Sequence, residues 1–118
     1  MNVKYKKYIE YIVNDIELPY LKYLEQYGLK DNEYSLVLSK IFNQSVTIRD
    51  NRIYDTNGNQ IYDEDSDGYW SKYEYDTNGN RIYYENSNGY WIKQEYDTNG
   101  NKIYHEDSDG YIRDNRYE

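Results

Sequence analysis

One 21-residue unit is written three times between Tyr54 and Tyr117, and a fixed period of that length leaves few folds open. The phrase Tyr75-Asp-Thr-Asn-Gly-Asn-Arg-Ile-Tyr83 returns with small changes at Tyr54 and again at Tyr96. Each copy then runs into a second turn phrase, Asp65-Ser-Asp-Gly68, Asn86-Ser-Asn-Gly89 or Asp107-Ser-Asp-Gly110. Gly58, Gly79 and Gly100 form one series of turn positions, and Gly68, Gly89 and Gly110 the other. Between the turns, aromatic and β-branched residues alternate with charged ones, so the unit reads as strand, turn, strand, turn and the array as an antiparallel meander.

The turns set an expected register. A two-residue type I′ loop at Asn78-Gly79 places Asp76 opposite Arg81, Tyr75 opposite Ile82, Glu74 opposite Tyr83, Tyr73 opposite Tyr84 and Lys72 opposite Glu85. The next copy repeats this with Asp97 opposite Lys102, Tyr96 opposite Ile103 and Lys93 opposite Glu106. The second turn reads as a three-residue loop, Ser87-Asn88-Gly89, with its glycine in the left-handed position of a G1 bulge. It sets Tyr84 against Ile92, Tyr83 against Lys93 and Arg81 against Glu95. Tyr73, Tyr75, Ile82, Tyr84, Tyr90 and Ile92 then share one face. Trp70, Lys72, Glu74, Arg81, Tyr83, Glu85 and Trp91 share the other. The tyrosine-rich face is expected to be the better buried, under helices supplied by the N-terminal segment.

That segment has helical periodicity. Tyr5, Tyr8, Ile9, Ile12 and Ile16 form one stripe over residues 3–17. Pro19 suits the first turn of a second helix carrying Tyr20, Leu21, Leu24 and Tyr27 and stopping at Gly28. Asp31 reads as the N-cap of a third helix, which ends near Phe42 and presents Tyr34, Val37, Leu38 and Ile41. The stretch from Leu38 to Ile48 has the outline of a helix-turn-helix, but a recognition helix would have to begin near Val46, where strand and turn chemistry follows.

Composition narrows the function. The 19 tyrosines force a core of side chains whose hydroxyls need partners. No cysteine is present, so disulfides are excluded, and no apolar run reaches membrane-spanning length. With no secretory leader pattern at the start, a cytoplasmic location is expected. Residues 1–49 hold seven basic and six acidic side chains, whereas residues 50–118 hold seven basic and sixteen acidic ones. The repeat is thus strongly acidic, which disfavours direct nucleic-acid binding and favours a basic protein surface as partner.

The pattern Tyr54-Asp55-Thr56-Asn57-Gly58-Asn59, with its copies from Tyr75 and Tyr96, resembles the tyrosine-aspartate (YD) repeats of the RHS and teneurin families, and the Tyr-Trp-x-Lys portion is less closely similar to MORN hairpin repeats. The YD resemblance covers about the last 65 residues and implies hairpin repeats. Three copies are too few for the closed shell those families build, and neither family carries over a catalytic residue. Small tandem proteins of this kind resemble open reading frames of phages and mobile elements, which implies the cytoplasm of a bacterial host.

Asp63-x-Asp65-x-Asp67-Gly68, followed by Glu74, matches the spacing of an EF-hand calcium loop. The match falls between strands instead of helices, and hairpin turns call for the same residue types. Calcium at Asp63, Asp65, Asp67 and Glu74 is therefore the alternative, and no metal or cofactor is the expectation. His105, the sole histidine, is expected opposite Gln94. With no phosphate loop, nucleophile elbow or zinc signature, the chain reads as a non-enzyme.

The resulting expectation is an α+β fold: an N-terminal cap of two to three helices, residues 1–44, on a meander of about seven to eight strands, residues 45–118, forming one cooperative unit. Trp70, Glu74, Tyr83, Glu85, Trp91, Glu95 and Glu106 are the candidate partner-binding residues, because rigid aromatics interleaved with carboxylates suit an interface. The expected role is an acidic protein-binding module, in its concrete form a phage-type inhibitor (anti-CRISPR or anti-restriction) that occludes or mimics the nucleic acid of a host defence enzyme. Alternatives are a calcium-stabilised repeat and an interaction element of an RHS-type system.

Overall fold

The structure, a computed structural model, describes the backbone of residues 10–29 and 31–117, with side chains at all of these except 31 and 32. Tyr5, Tyr8 and Ile9 of the expected first stripe lie outside the described residues, as does the Asp31 side chain. Among the described residues three helices precede eight strands: α1, described over residues 10–15, α2 Tyr20–Leu24 and α3 Asp31–Phe42. A 3-10 turn, Glu25–Tyr27, extends α2 and closes on Gly28, whose φ of 62° lets the chain turn out of the helix. The strands are β1 Thr47–Arg49, β2 Arg52–Tyr54, β3 Gln60–Glu64, β4 Trp70–Tyr75, β5 Arg81–Asn86, β6 Trp91–Tyr96, β7 Lys102–Asp107 and β8 Ile112–Asp114. They form one antiparallel sheet in sequence order. Each strand meets only its chain neighbours, and the molecule is elongated, 56 × 28 × 24 Å.

Both turn series use the same loop. The Gly79 N–H donates to the Asp76 carbonyl at 3.1 Å and the Asp76 N–H to the Asn80 carbonyl at 2.9 Å, which encloses three residues with Gly79 at φ 85°. The type I′ expectation at Asn78-Gly79 is therefore corrected to a G1-bulge loop like that of Ser87-Asn88-Gly89. The reason lies in Asp76: its Oδ1 accepts the N–H of Asn78 and of Asn80, each at 2.9 Å, and this Asx turn holds Asn78 in an ordinary negative-φ conformation. Asp55, Asp97, Asp65, Asn86 and Asp107 accept the corresponding pairs of N–H groups in the other turns. A two-residue loop does occur, at Asp50-Asn51, where φ values of 52° and 65° join the paired residues Arg49 and Arg52.

The longer loop shifts the register near each first-series turn. Lys72 with Glu85, Tyr73 with Tyr84, and Glu74 with Tyr83 pair as expected, but Tyr75 faces Arg81 in place of Ile82. Lys93 with Glu106 and Gln94 with His105 likewise hold, while Tyr96 faces Lys102 in place of Ile103. The expected Asp76–Arg81 and Asp97–Lys102 charge pairs are thereby replaced by Asp–Asn contacts within the loops. The β5–β6 ladder contains Tyr83–Lys93 and Tyr84–Ile92 but not Arg81–Glu95. Because Ile82 becomes the extra residue of a bulge, Arg81 crosses to the tyrosine-rich face, where its guanidinium lies 6.0 Å from the Tyr73 ring and 5.5 Å from that of Tyr84.

The helices cover the other face from the one expected. Ile53, Tyr62, Lys72 and Trp70 follow from the ladders as one side, called here the Trp91 face, and the core gathers Ile12, Leu21, Leu24, Val37, Leu38, Val46, Ile53, Ile61 and Tyr62. Ile12, Leu24, Val37, Leu38, Ile53 and Tyr62 are fully buried. No member of this core comes from beyond β3, so β5–β8 carry no packed helix among the described residues. The tyrosine face needs none. Its rings fold over small polar side chains: Tyr73 packs on Tyr84 at 5.4 Å and Tyr84 on Tyr90 at 6.4 Å, above buried Ser71 and Asn86. A tyrosine can shield the strand beside it and still hydrogen-bond at its rim, a division of labour that leucine cannot perform.

Candidate functional site

The ladders bring all seven candidate residues onto the Trp91 face. Tyr83 donates to Glu85 Oε1 at 2.8 Å, and Tyr104, two strands on, donates to Glu106 Oε1 at 2.6 Å. Burial, reinforced by the Glu85 carboxylate, pushes the Tyr83 hydroxyl up to about 12, so it remains a donor throughout the neutral range. Trp91 is half-buried, with Lys93 Nζ 5.2 Å from its ring. Glu74 stands exposed opposite Tyr83. Glu95 accepts from Arg116 at 3.0 Å, and that guanidinium lies 4.1 Å from the centre of the Tyr104 ring. Trp70 differs from the other six, since it packs at the edge of the helical core. Lys72 and Lys93 sit opposite Glu85 and Glu106 in the ladder, yet each turns its ammonium over a tryptophan instead of forming an ion pair within 4 Å.

The first copy of the Tyr-x-Glu pair, Tyr62 and Glu64, has a different task that sequence reasoning missed. Pro19 precedes α2 and supplies no side-chain cap. The first backbone N–H groups of α2 are met from the sheet: Tyr20 N donates to the Tyr62 hydroxyl at 3.1 Å, Leu21 N to Glu64 Oε1 at 2.8 Å and Lys22 N to Glu64 Oε2 at 2.6 Å. Tyr62 in turn donates to Glu64 Oε1 at 2.7 Å. The carboxylate acts as an N-cap supplied from 42 residues away along the chain. Two signals pointed to it, the recurrence of Tyr-x-Glu at 62, 83 and 104 and a helix start without a Ser, Thr, Asp or Asn.

The calcium alternative does not assemble. Asp63 lies on the tyrosine face, where it accepts from Gln60 Nε2 at 2.7 Å and from the Tyr73 hydroxyl at 2.8 Å. Asp65 is engaged with the N–H groups of its own turn, and Glu74 projects from the opposite face. Among the described residues no group of three or more His, Cys, Asp or Glu is arranged to hold a metal ion. His105 contacts Asp107 at 3.0 Å, and that hydrogen bond is the main cause holding the Asp107 carboxyl below its ordinary range. Gln94 beside it, with its carboxamide oxygen toward Lys102 Nζ at 2.9 Å, donates to the Arg81 carbonyl and the Tyr96 hydroxyl, both at 3.2 Å.

Two depressions, of about 500 and 510 Å³, lie at the β1–β3 end, away from Tyr83 and Trp91. The candidate surface is a sheet face and not a cleft, which suits a protein partner better than a small molecule. Among the described residues no helix is long and apolar enough to cross a membrane. No protein-family model and no curated protein matches this chain.

Proposed function

We propose that this protein is a non-enzymatic, acidic protein-binding module that docks the Trp91 face of β4–β7 onto a basic surface of its partner. The observation that carries the reading is a stretch of that face with no helix over it among the described residues: Tyr83, Glu85, Trp91, Glu95 and Glu106 lie together on the sheet, beyond the helical core. Aromatic anchors among carboxylates combine slow dissociation with electrostatic steering. The sixteen acidic residues of 50–118 supply the steering field. In its most specific form the partner's basic surface is a nucleic-acid groove, and the module inhibits a defence enzyme by occupying it.

Capture of partners by the immobilised protein, followed by rate measurements on the recovered complex, tests this. Association should slow as salt shortens the Debye length from ~10 Å at 0.1 M to ~3 Å at 1 M. Trp91→Ala should mainly raise the dissociation rate, while Glu85→Lys or Glu95→Lys should mainly lower the association rate. DNA or RNA should compete for the same partner. Simultaneous binding of protein and nucleic acid with unchanged affinities overturns the groove-blocking form, and indifference to all three substitutions overturns the docking face itself.

A further inference from the structure

The second copy of the repeat reproduces the four sheet residues set around the first turn of α2, although Ile53 of the core beneath has Glu74 as its counterpart. Around α2 the sheet presents Tyr62, Glu64, Trp70 and Lys72; 21 residues later stand Tyr83, Glu85, Trp91 and Lys93, with the same pairing in the ladder. The internal geometry matches as well. The tyrosine-to-glutamate hydrogen bond is 2.7 Å in the first copy and 2.8 Å in the second, and the lysine lies 5.5 Å from its tryptophan in the first and 5.2 Å in the second. In the first copy this frame has an occupant: the Tyr20 ring lies 5.3 Å from that of Tyr62 and 5.4 Å from Lys72 Nζ, while Glu64 takes two successive N–H groups. In the third copy the frame is broken, because Ile112 and Asp114 replace the tryptophan and lysine and Arg116 covers the Tyr104 ring at 4.1 Å.

We propose that Tyr83, Glu85, Trp91 and Lys93 form a receptor for the first turn of a partner protein's helix, one that begins with proline and an aromatic residue and carries no side-chain cap of its own. Glu85 accepts the second and third N–H groups of the incoming helix, as Glu64 accepts those of Leu21 and Lys22. The aromatic ring enters between Tyr83 and Lys93. The charges agree, since a carboxylate faces the positive end of the helix dipole, and a basic residue in the third helical position, matching Lys22, suits the acidic surroundings. The proposal rests on the reading of this face as a docking surface and specifies the chemistry of what docks.

The test uses the whole protein and an acetylated synthetic peptide of residues 18–29, followed by nitrogen-15 NMR. Saturable shifts are expected at the Trp91 indole N–H and at the amides of Tyr83, Glu85 and Lys93. The peptide does not displace the chain's own α2, whose tether gives it a far higher effective concentration. Glu85→Ala should weaken the peptide by roughly tenfold, as loss of a charge-assisted pair implies, while Asp109→Ala, at an exposed position of the β7–β8 turn, leaves it within about twofold. A peptide with aspartate in place of Pro19 caps its own first turn and should also bind more weakly. Circular dichroism establishes that each variant remains folded. Absence of shifts at the Trp91 indole, or equal weakening by Glu85→Ala and Asp109→Ala, overturns the proposal. Protamine, as a basic probe, separates the two readings: if it binds in a Trp91-dependent, salt-sensitive way while the peptide does not, the helix receptor falls and the docking face stands. If neither binds, both fall.

Discussion

Tyr62–Glu64 and Tyr83–Glu85 are the same local sequence element in the same ladder position, yet the first is buried beneath a helix and the second is half-buried with no helix over it among the described residues. In the first, the carboxylate is 6% exposed and satisfies two backbone N–H groups that have no other cap; in the second, it bonds only to its own tyrosine among the hydrogen bonds seen. A repeat thus fixes which groups point where, while the neighbour decides whether a carboxylate is a structural cap or a surface on offer. The lesson extends to the turns: Gly68 and Gly89 have the same left-handed backbone, but only Gly68 lies against α2, close to Pro19 and Lys22.

The sharpest way to break this comparison is to remove the two carboxylates. Glu64→Ala leaves the buried Leu21 N–H and the part-buried Lys22 N–H without their acceptors and should destabilise the fold by about 2–3 kcal/mol, whereas Glu85→Ala should stay within about 0.5 kcal/mol. Urea midpoints measure both, and equal losses would mean that the helix contact contributes nothing special. Tyr62→Phe comes next. It deletes the acceptor for Tyr20 N and the donor to Glu64 Oε1, for an expected loss of about 1–2 kcal/mol. Tyr83→Phe is its near-neutral counterpart.

The glycine pair tests the same contrast at smaller scale. Gly68→Ala and Gly89→Ala both place a side chain at positive φ, 88° and 84°, which costs about 1 kcal/mol each. A Cβ on residue 68 would also stand 3.3 Å from Pro19 Cγ and 3.5 Å from Lys22 Cδ, while one on residue 89 meets nothing within 4 Å. Gly68→Ala should therefore lose roughly 0.5–1 kcal/mol more in thermal or urea unfolding.

The smallest expected effect compares charged with uncharged turns. N–H groups of Asn80 and Asn101 lead in holding the Asp76 and Asp97 carboxyls below their ordinary range, whereas Asn86 accepts the same pair of N–H groups without a charge. A carboxyl depressed in the folded state stabilises it above the unfolded pKa, and that contribution disappears as pH falls through the folded value. The melting temperature of the wild type should thus drop below about pH 4. Replacing Asp76 and Asp97 together by Asn should flatten that acid limb and change little at pH 7. An unaltered acid limb would show that these turns do not govern it.

The 21-residue period, the turn glycines, the strand order and most cross-strand partners are determined by the sequence alone, because period-2 alternation and the conformational demands of Gly and Asx turns act over a few residues. His105 opposite Gln94 and the end of α2 at Gly28 belong with them. The three-residue loop at Asn78-Gly79 is local too, since the Asp76 carboxylate spanning it selects that form over type I′ and carries Arg81 to the other face. Tertiary structure decided which face the helices cover, because tyrosine-rich and tryptophan-rich faces are both amphipathic on a hydropathy scale. What chose between them was a polar requirement: α2 begins without a cap of its own, and the sheet offers Tyr62 and Glu64 on the Trp91 side, where they bury Ile53 and Leu21 as they satisfy its N–H groups. Such a match joins residues more than 40 positions apart, and no local pattern encodes it.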